Sequence, residues 1–402
     1  MKQDQRSFAE NRRLEILPEA PLIGNKFVRH ACLLRRVDGE THGDTTLWYE
    51  LPLELPRIAP DDAEPFLIAS VMDAMAENRD IHVHGTVSFQ LLSNLHEFMV
   101  AWSRWIPDSF HVVNVTVESL SVLPIASGLG HDGAIAAYSG GIDATCTLYR
   151  HSHGQEGHRS RRIVACALIQ GFDIPLDHQE KFAWSLEIAQ ETLDSIGAVV
   201  HPLRTNFREV IRTNWENSHG VALVSALQFF KPMARSCLIG SSKPYDDIVF
   251  PYGSNPLSDG FLSSDSMQVL HDGSRFDRIE KTAVISQWPE GTRNLRVCWK
   301  GSQVEANCGK CEKCIRTKLG FMALGKPYAP SLGAPPTPWE VLNLVFVSYA
   351  VIVDFRQILS TCRRNGIREP WVRALRWRVN HHRLFVRLLH WKWKLLHLLG
   401  ML

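Results

Sequence analysis

The residues whose types and spacing could do chemistry fall in two groups: the run Ser139-Gly140-Gly141-Ile142-Asp143-Ala144-Thr145 and the thiols Cys298, Cys308, Cys311 and Cys314. The first run follows a short apolar stretch, Ala134 to Ala137, and leads into a predicted helix. Adjacent glycines let the backbone turn tightly and approach a ligand with no side chain between. The first amides of the helix then face the loop without intrahelical partners, which makes an anion site suited to phosphate. Asp143 could hold a metal counter-ion beside such phosphates. Taken alone, the run is equally a plain strand–turn–helix with a Gly-Gly hinge.

The thiols are a more specific signal. Cys308, Cys311 and Cys314 recur every third residue, and Cys298 precedes them. Four thiolates complete the tetrahedron of Zn2+ and leave no open position, so the expected metal is structural rather than hydrolytic. Disulfides are disfavoured by an odd total of nine cysteines, of which the other five are scattered, and by the lack of a secretory signal in the polar stretch Met1 to Glu15. An iron–sulfur cluster uses the same ligands and stays open, with zinc favoured on ligand type and spacing.

In this order the two motifs resemble the PP-loop ATP pyrophosphatase superfamily, and within it the 7-cyano-7-deazaguanine (preQ0) synthases. That family reads SGGxDST near its start and C…CGxCxxCxxR near its end. Leu238-Ile239-Gly240-Ser241 is similar to its fourth-strand segment, Asp277-Arg278-Ile279-Glu280 to its Asn-Lys-x-Glu, and Gly320-Phe321 to the pair after its metal cluster. The resemblance spans about half the chain, roughly residues 130 to 325. Three departures stand out: Ala144 replaces a Ser, Thr317 replaces an Arg with Arg316 and Lys318 beside it, and Asn217-Ser218-His219-Gly220 occupies the region of a Pro-Gly-Arg-Asn stretch.

The resemblance implies an α/β fold with a Rossmann-like parallel sheet of the PP-loop/HUP type, and ATP, Mg2+ and Zn2+ as cofactors. It implies AMP- and pyrophosphate-forming adenylation of a carboxylate, followed by attack of a nitrogen nucleophile. Ser139, Gly140, Gly141, Ile142, Asp143, Ala144, Thr145 and Gly240 would line the nucleotide, and Ser139 and Asp143 would serve catalysis. Asp173 is a candidate near adenine or ribose, or a turn-forming Asp before Pro175. His219 is a candidate general acid or phosphate contact, or only a helix cap. Two other classes stay open: a member that modifies a protein or nucleic acid, and a nucleotide-binding partner protein with weakened catalysis.

The elements that would position these residues read as follows. Ile163 to Ile169 is a continuous apolar run, as a buried parallel strand would be, and Ser236 to Gly240 is another strand. Phe182 to Ile196 and Gly220 to Phe230 have helical character, and Ala198 opens a strand. Alternating strands and helices imply a parallel sheet with right-handed crossovers and ligands at the carboxyl ends of the strands. The long loop from 240 to 266, with Asp246, Asp247, Ser254, Asp259 and Asp265, is expected to close over the acceptor.

Three regions are expected: an N-terminal α+β region over 1–128, the ATP-binding domain with its zinc knuckle over 129–328, and a basic helical appendage over 329–402. In the first, Thr45 to Leu51 and Val112 to Val117 alternate like strands, and Val87 to Trp105 has helical spacing. His82 and His84 there tempt a metal reading, although histidines alternating on a strand are more often surface residues. In the last, Thr337-Pro338-Trp339-Glu340 opens a helix expected to reach about Ser360. No acidic residue follows Glu369, while Arg and Lys accumulate among Trp371, Trp377, Trp391 and Trp393. That tail suits an anionic membrane, nucleic acid or protein partner, or simply docks on the core. A formal net charge of +2 argues against wholesale nucleic-acid binding. The longest apolar run, Leu344 to Val353, is too short to cross a bilayer, so a cytoplasmic enzyme is expected, with a homodimer left open.

Overall fold

The computed structural model describes residues 12–39, 41–122, 133–300, 307–346 and 349–382. It is mixed α/β and separates into two compact units, Met1–Arg275 and Phe276–Leu402.

The first unit is built on one sheet of eleven strands. Its α/β half comprises β7 (Gly133–Ala137), β8 (Arg162–Gln170), β9 (Val200–Thr205), β10 (Ser236–Gly240) and β11 (Gln268–Asp272). These run parallel in the order β11-β10-β7-β8-β9. Numbered from β7, that is the doubly-wound order 3-2-1-4-5, in which the chain reverses direction across the sheet between its first and fourth strands. A crevice opens at such a switch point, outside the carboxyl ends of the strands. Here the switch point lies between the ends of β7 and β10.

The other half comprises β1 (Arg12–Pro18), β2 (Leu22–Ile23), β3 (Phe27–Asp38), β4 (Thr41–Pro52), β5 (Asp80–Ser88) and β6 (Val115–Ser121). It continues the same sheet, because β4 pairs antiparallel with β9 at Tyr49–Thr205 and Glu50–Arg204. Asn206 extends that joint by imitating a peptide: its Oδ1 accepts from the Trp48 amide at 2.9 Å, and its Nδ2 donates to the Thr46 carbonyl at 2.9 Å. Helix α1 (Glu64–Glu77) is buried over twelve of its fourteen residues, as expected of a helix apolar on nearly all sides. Its Phe66 meets Phe229 and Tyr49, whose hydroxyl lies 2.8 Å from Ser225 Oγ. One apolar core therefore serves both halves of the unit. Helix α2 (Phe89–Trp105) matches the expected spacing, with Ser88 Oγ accepting from the Leu91 amide at its start.

In the α/β half, α3 (Ile142–Ser152) follows β7, and α4 (Gln179–Asp194) lies between β8 and β9. After the short α5 (Phe207–Val210), α6 (Trp215–Leu227) precedes β10. Under the sheet end, Asp272 is a buried anion. It accepts from Thr147 Oγ1 at 2.9 Å and Arg150 Nη1 at 2.9 Å, with His151 Nε2 3.3 Å away. Burial alone would raise its carboxyl, but the hydrogen bond from His151 and the charge of Arg150 hold it far below the usual carboxylate range.

The second unit is helical. It contains α7 (Arg278–Ile285), α8 (Pro289–Arg293), α9 (Glu312–Ala323), α10 (Pro338–Leu342), α11 (Tyr349–Arg364) and α12 (Pro370–Asn380). The single helix expected from Thr337 to Ser360 is two: α10 has the anticipated capping box but ends at Leu342, with Asn343 as its C-cap. α12 packs Trp371, Val372, Leu375 and Val379 into the same apolar cluster as Phe355 and Leu319. The segment from Arg383, with its basic stripe, lies outside the described residues. No helix among the described residues is long and apolar enough to cross a membrane.

Candidate functional site

At the end of β7 the chain passes through exposed Ser139 into Gly140, whose φ of +73° is a left-handed conformation open chiefly to glycine. Gly141 then caps α3 with extended backbone and no side-chain partner for the first amides. Thr145 N closes the first helical turn on the Gly141 carbonyl at 3.0 Å. Ile142 and Thr145 are buried beneath the loop, while Asp143 and Ala144 are half-buried in the first turn. Across the switch point, a Cβ on Gly240 would stand 3.1 Å from the Asp143 carbonyl, so the end of β10 touches the start of α3.

The loop after β10 forms the other wall. Ser242 Oγ donates to the Tyr252 hydroxyl at 3.2 Å, and Tyr252 packs edge-on against His219, ring centroids 4.9 Å apart. Burial raises the Tyr252 phenol, and the Asp143 carboxylate adds to that, which places the ring within electrostatic reach of the SGG loop. The loop is pinned to α6 where Gly253 crosses Gly220. A Cβ on Gly220 would fall 2.0 Å from the Gly253 carbonyl oxygen, so only glycine fits there, and Gly253 N donates to the Glu216 carbonyl at 3.0 Å.

His219 sits inside α6, and Asn214 is the cap, so His219 is not one. Its Nδ1 lies 3.1 Å from the Trp215 carbonyl and 3.0 Å from that of Glu216, so Nδ1 carries the proton and Nε2 the lone pair. Burial lowers its pKa below 6.5, outweighing the nearby charges of Asp259 and Asp173. The ring is therefore neutral at pH 7. Asp173 is exposed in a turn after β8, closed by Gly171 N donating to the Ile174 carbonyl at 2.8 Å. Beneath the loop, buried Asp259 accepts from Ser254 Oγ at 2.7 Å and lies 2.7 Å from His271 Nδ1. Ser139, Asp143, Gly240 and His219 thus meet at one rim. Tyr252 was not singled out in the sequence, since nothing but its place in a long Gly/Pro/Ser loop marks it.

The four thiols of the second unit converge as their spacing predicts. Cys298 Sγ is 3.5 Å from Cys308 Sγ, Cys308 Sγ 3.8 Å from Cys314 Sγ, and Cys311 Sγ 3.5 Å from Cys314 Sγ. Sulfurs around a tetrahedral zinc with Zn–S of about 2.3 Å stand roughly 3.8 Å apart. A disulfide would need about 2.05 Å, and all nine cysteines are unbridged. The hydrogen bond between Cys311 and Cys314 drives their acidities apart, Cys311 falling to about 4 and Cys314 rising. Four crowded thiols cannot all ionise without a cation at their centre, so the donor set fits a Zn2+-class metal.

Asn307 orients the group: its Oδ1 accepts from the Val297 and Cys298 amides, and its Nδ2 donates to the Leu295 carbonyl and Ser331 Oγ. Asp277 and Glu280 form a reciprocal capping box at the start of α7, a structural role. Arg316, beside Thr317, is engaged with Glu312 and Asp354.

No family model, no curated protein and no solved structure matches the chain.

Proposed function

We propose that the chain cleaves ATP to AMP and pyrophosphate, activating a carboxylate by adenylation, after which a nitrogen nucleophile displaces AMP. The observation that carries this reading is the position of the SGG loop: it follows the first strand of a 3-2-1-4-5 sheet and opens a helix at the switch point. A glycine turn there offers backbone amides to a phosphate chain. Preorganised amides act best where charge develops in the transition state, here on the departing pyrophosphate. Mg2+ held by Asp143 and phosphate oxygens would supply neutralisation of that leaving group.

His219 serves better as a base than as an acid in this scheme. Its neutral ring presents a lone pair at Nε2, suited to taking a proton from the incoming nitrogen rather than to gripping a phosphate. The Tyr252–Ser242 wall would bound the acceptor. In the proposed division of labour the zinc knuckle holds fold rather than chemistry, since four thiolates leave no vacant position.

Calorimetric titration with ATP in Mg2+ buffer tests the nucleotide half of this reading. Wild-type protein should bind, and Gly140→Ala, which strains the turn by about 1–2 kcal/mol, should bind more weakly. Equal affinity in both would remove the loop from the account.

A further inference from the structure

The first unit carries a second group of metal-ligating side chains, remote in kind from the thiol cluster and unused by the chemistry above. His82 and His84 are two apart on β5, so both project from the same face of the sheet. The neighbouring parallel strand β6 sets Thr116 beside His82 and brings Glu118 to His84. His84 Nδ1 lies 2.8 Å from Glu118 Oε1, and His82 Nδ1 lies 2.9 Å from Thr116 Oγ1. The two imidazoles stand edge to face, with centroids 4.6 Å apart. One ligand atom from each of His82, His84 and Glu118 falls within 4.8 Å of the other two.

A further observation points to a ligand there. A surface cavity of about 410 Å3 adjoins the histidines, lined also by Arg13, Glu15 and Asp80. Around the group, Glu118, Glu15 and Asp80 bring three carboxylates against the one guanidinium of Arg13, which Glu15 already holds at 2.7 Å. The surplus is negative, as a dication requires.

We propose that His82, His84 and Glu118 form a divalent-metal site for a Zn2+-class ion, open toward that cavity. Two imidazoles and one carboxylate select borderline transition ions over Mg2+ or Ca2+, which prefer all-oxygen shells. Three protein ligands leave a fourth position for water or a small oxygen ligand from the cavity. The ion replaces the His84–Glu118 hydrogen bond, and Thr116 acts as the outer partner that holds the His82 ring. The contrast with the four-thiol centre is chemical: that shell is closed, this one is exchangeable.

The test uses untagged full-length protein, exhaustively dialysed with a mild chelator and then titrated with ZnCl2 or CoCl2. Wild type should take up one ion beyond the tightly held one, and the added Co2+ should show visible bands without thiolate charge transfer. The double variant His82→Ala/His84→Ala should lose that ion and keep the tight one. Glu118→Gln, at an exposed position that leaves the sheet unaltered, should weaken it by at least about tenfold, since even outer partners of zinc ligands are worth 10–100-fold. Uptake of no added ion by wild type, or equal uptake by the double-histidine variant, would overturn the proposal.

Discussion

The rim of the first unit and the thiol knuckle of the second gather polar groups in opposite ways. At the knuckle neighbouring sulfurs stand 3.5–3.8 Å apart, and Asn307 accepts from the Val297 and Cys298 amides. Four thiolates complete a tetrahedral shell and leave the metal no vacant position. At the rim, the amides that open α3 have no side-chain cap, and His219 keeps a lone pair. A site that satisfies itself builds fold; one that leaves groups unspent can act on something else.

Breaking the knuckle should have the largest effect. Cys314→Ser leaves three thiols, and structural zinc contributes about 10–16 kcal/mol of apparent binding free energy to folding. The variant should purify without zinc by elemental analysis, and the second unit should lose its cooperative melt. Iron with labile sulfide in the wild type would reassign the metal but keep the closed shell.

Next comes Asp272, whose ion cluster supports the sheet end beneath the rim. Asp272→Asn removes one of the two buried carboxylates that hold Arg150, Glu156 being the other, and should cost about 1.5–3 kcal/mol in a denaturant titration. Because the folded carboxyl is held below its unfolded value of about 3.9, its contribution is present above pH 4 and lost as pH falls below it. The variant's stability should therefore approach the wild type's in acid. A constant gap from pH 7 down to pH 3 would contradict the assignment.

His219→Gln sharpens the rim side of the comparison. Loss of a positioned base should lower turnover by about 10²–10⁴-fold while leaving ATP affinity intact. Since burial lowers the histidine, the wild-type rate should rise with pH through a value below 6.5 and then level, and the variant should lack that acid limb. An unchanged profile would return His219 to packing alone. Smallest is the effect of deleting residues 383–402, which should spare zinc and ATP binding and weaken only salt-sensitive association with anionic vesicles or RNA. Deletion from residue 370 would instead strip Trp371, Leu375 and the buried Arg378 from the core of the second unit.

What the sequence made legible was local. The glycine turn, the cysteine spacing and the strands at Ile163 and Ser236 each depend on neighbours within a few residues, so residue type and period suffice. Non-local pairings were not legible. Glu50 and Arg204 meet across 154 positions, and only the folded sheet makes one unit of the stretches on either side of residue 128. The same holds for Glu118, which completes the histidine pair from a separate strand. Apolar content alone also failed to reveal the break after α10, because an apolar run is compatible with one helix or two. Arg378 belongs to the basic tail for which partner binding and docking on the core were both open; it is buried with Nε donating to the Leu344 carbonyl at 2.8 Å, while Arg373 and Arg376 remain exposed.

The most direct measurement is the identity of the products formed from α-labelled ATP and Mg2+ with a panel of small carboxylates and ammonia. Wild-type protein should release AMP and pyrophosphate in equal amounts with at least one carboxylate. Asp143→Asn, which removes a charge and keeps the shape, should be slower by about 10²–10³-fold, the scale of losing one preorganised electrostatic group. ADP and phosphate as products, or undiminished AMP release by the Asp143 variant, would contradict an adenylating site at the switch point.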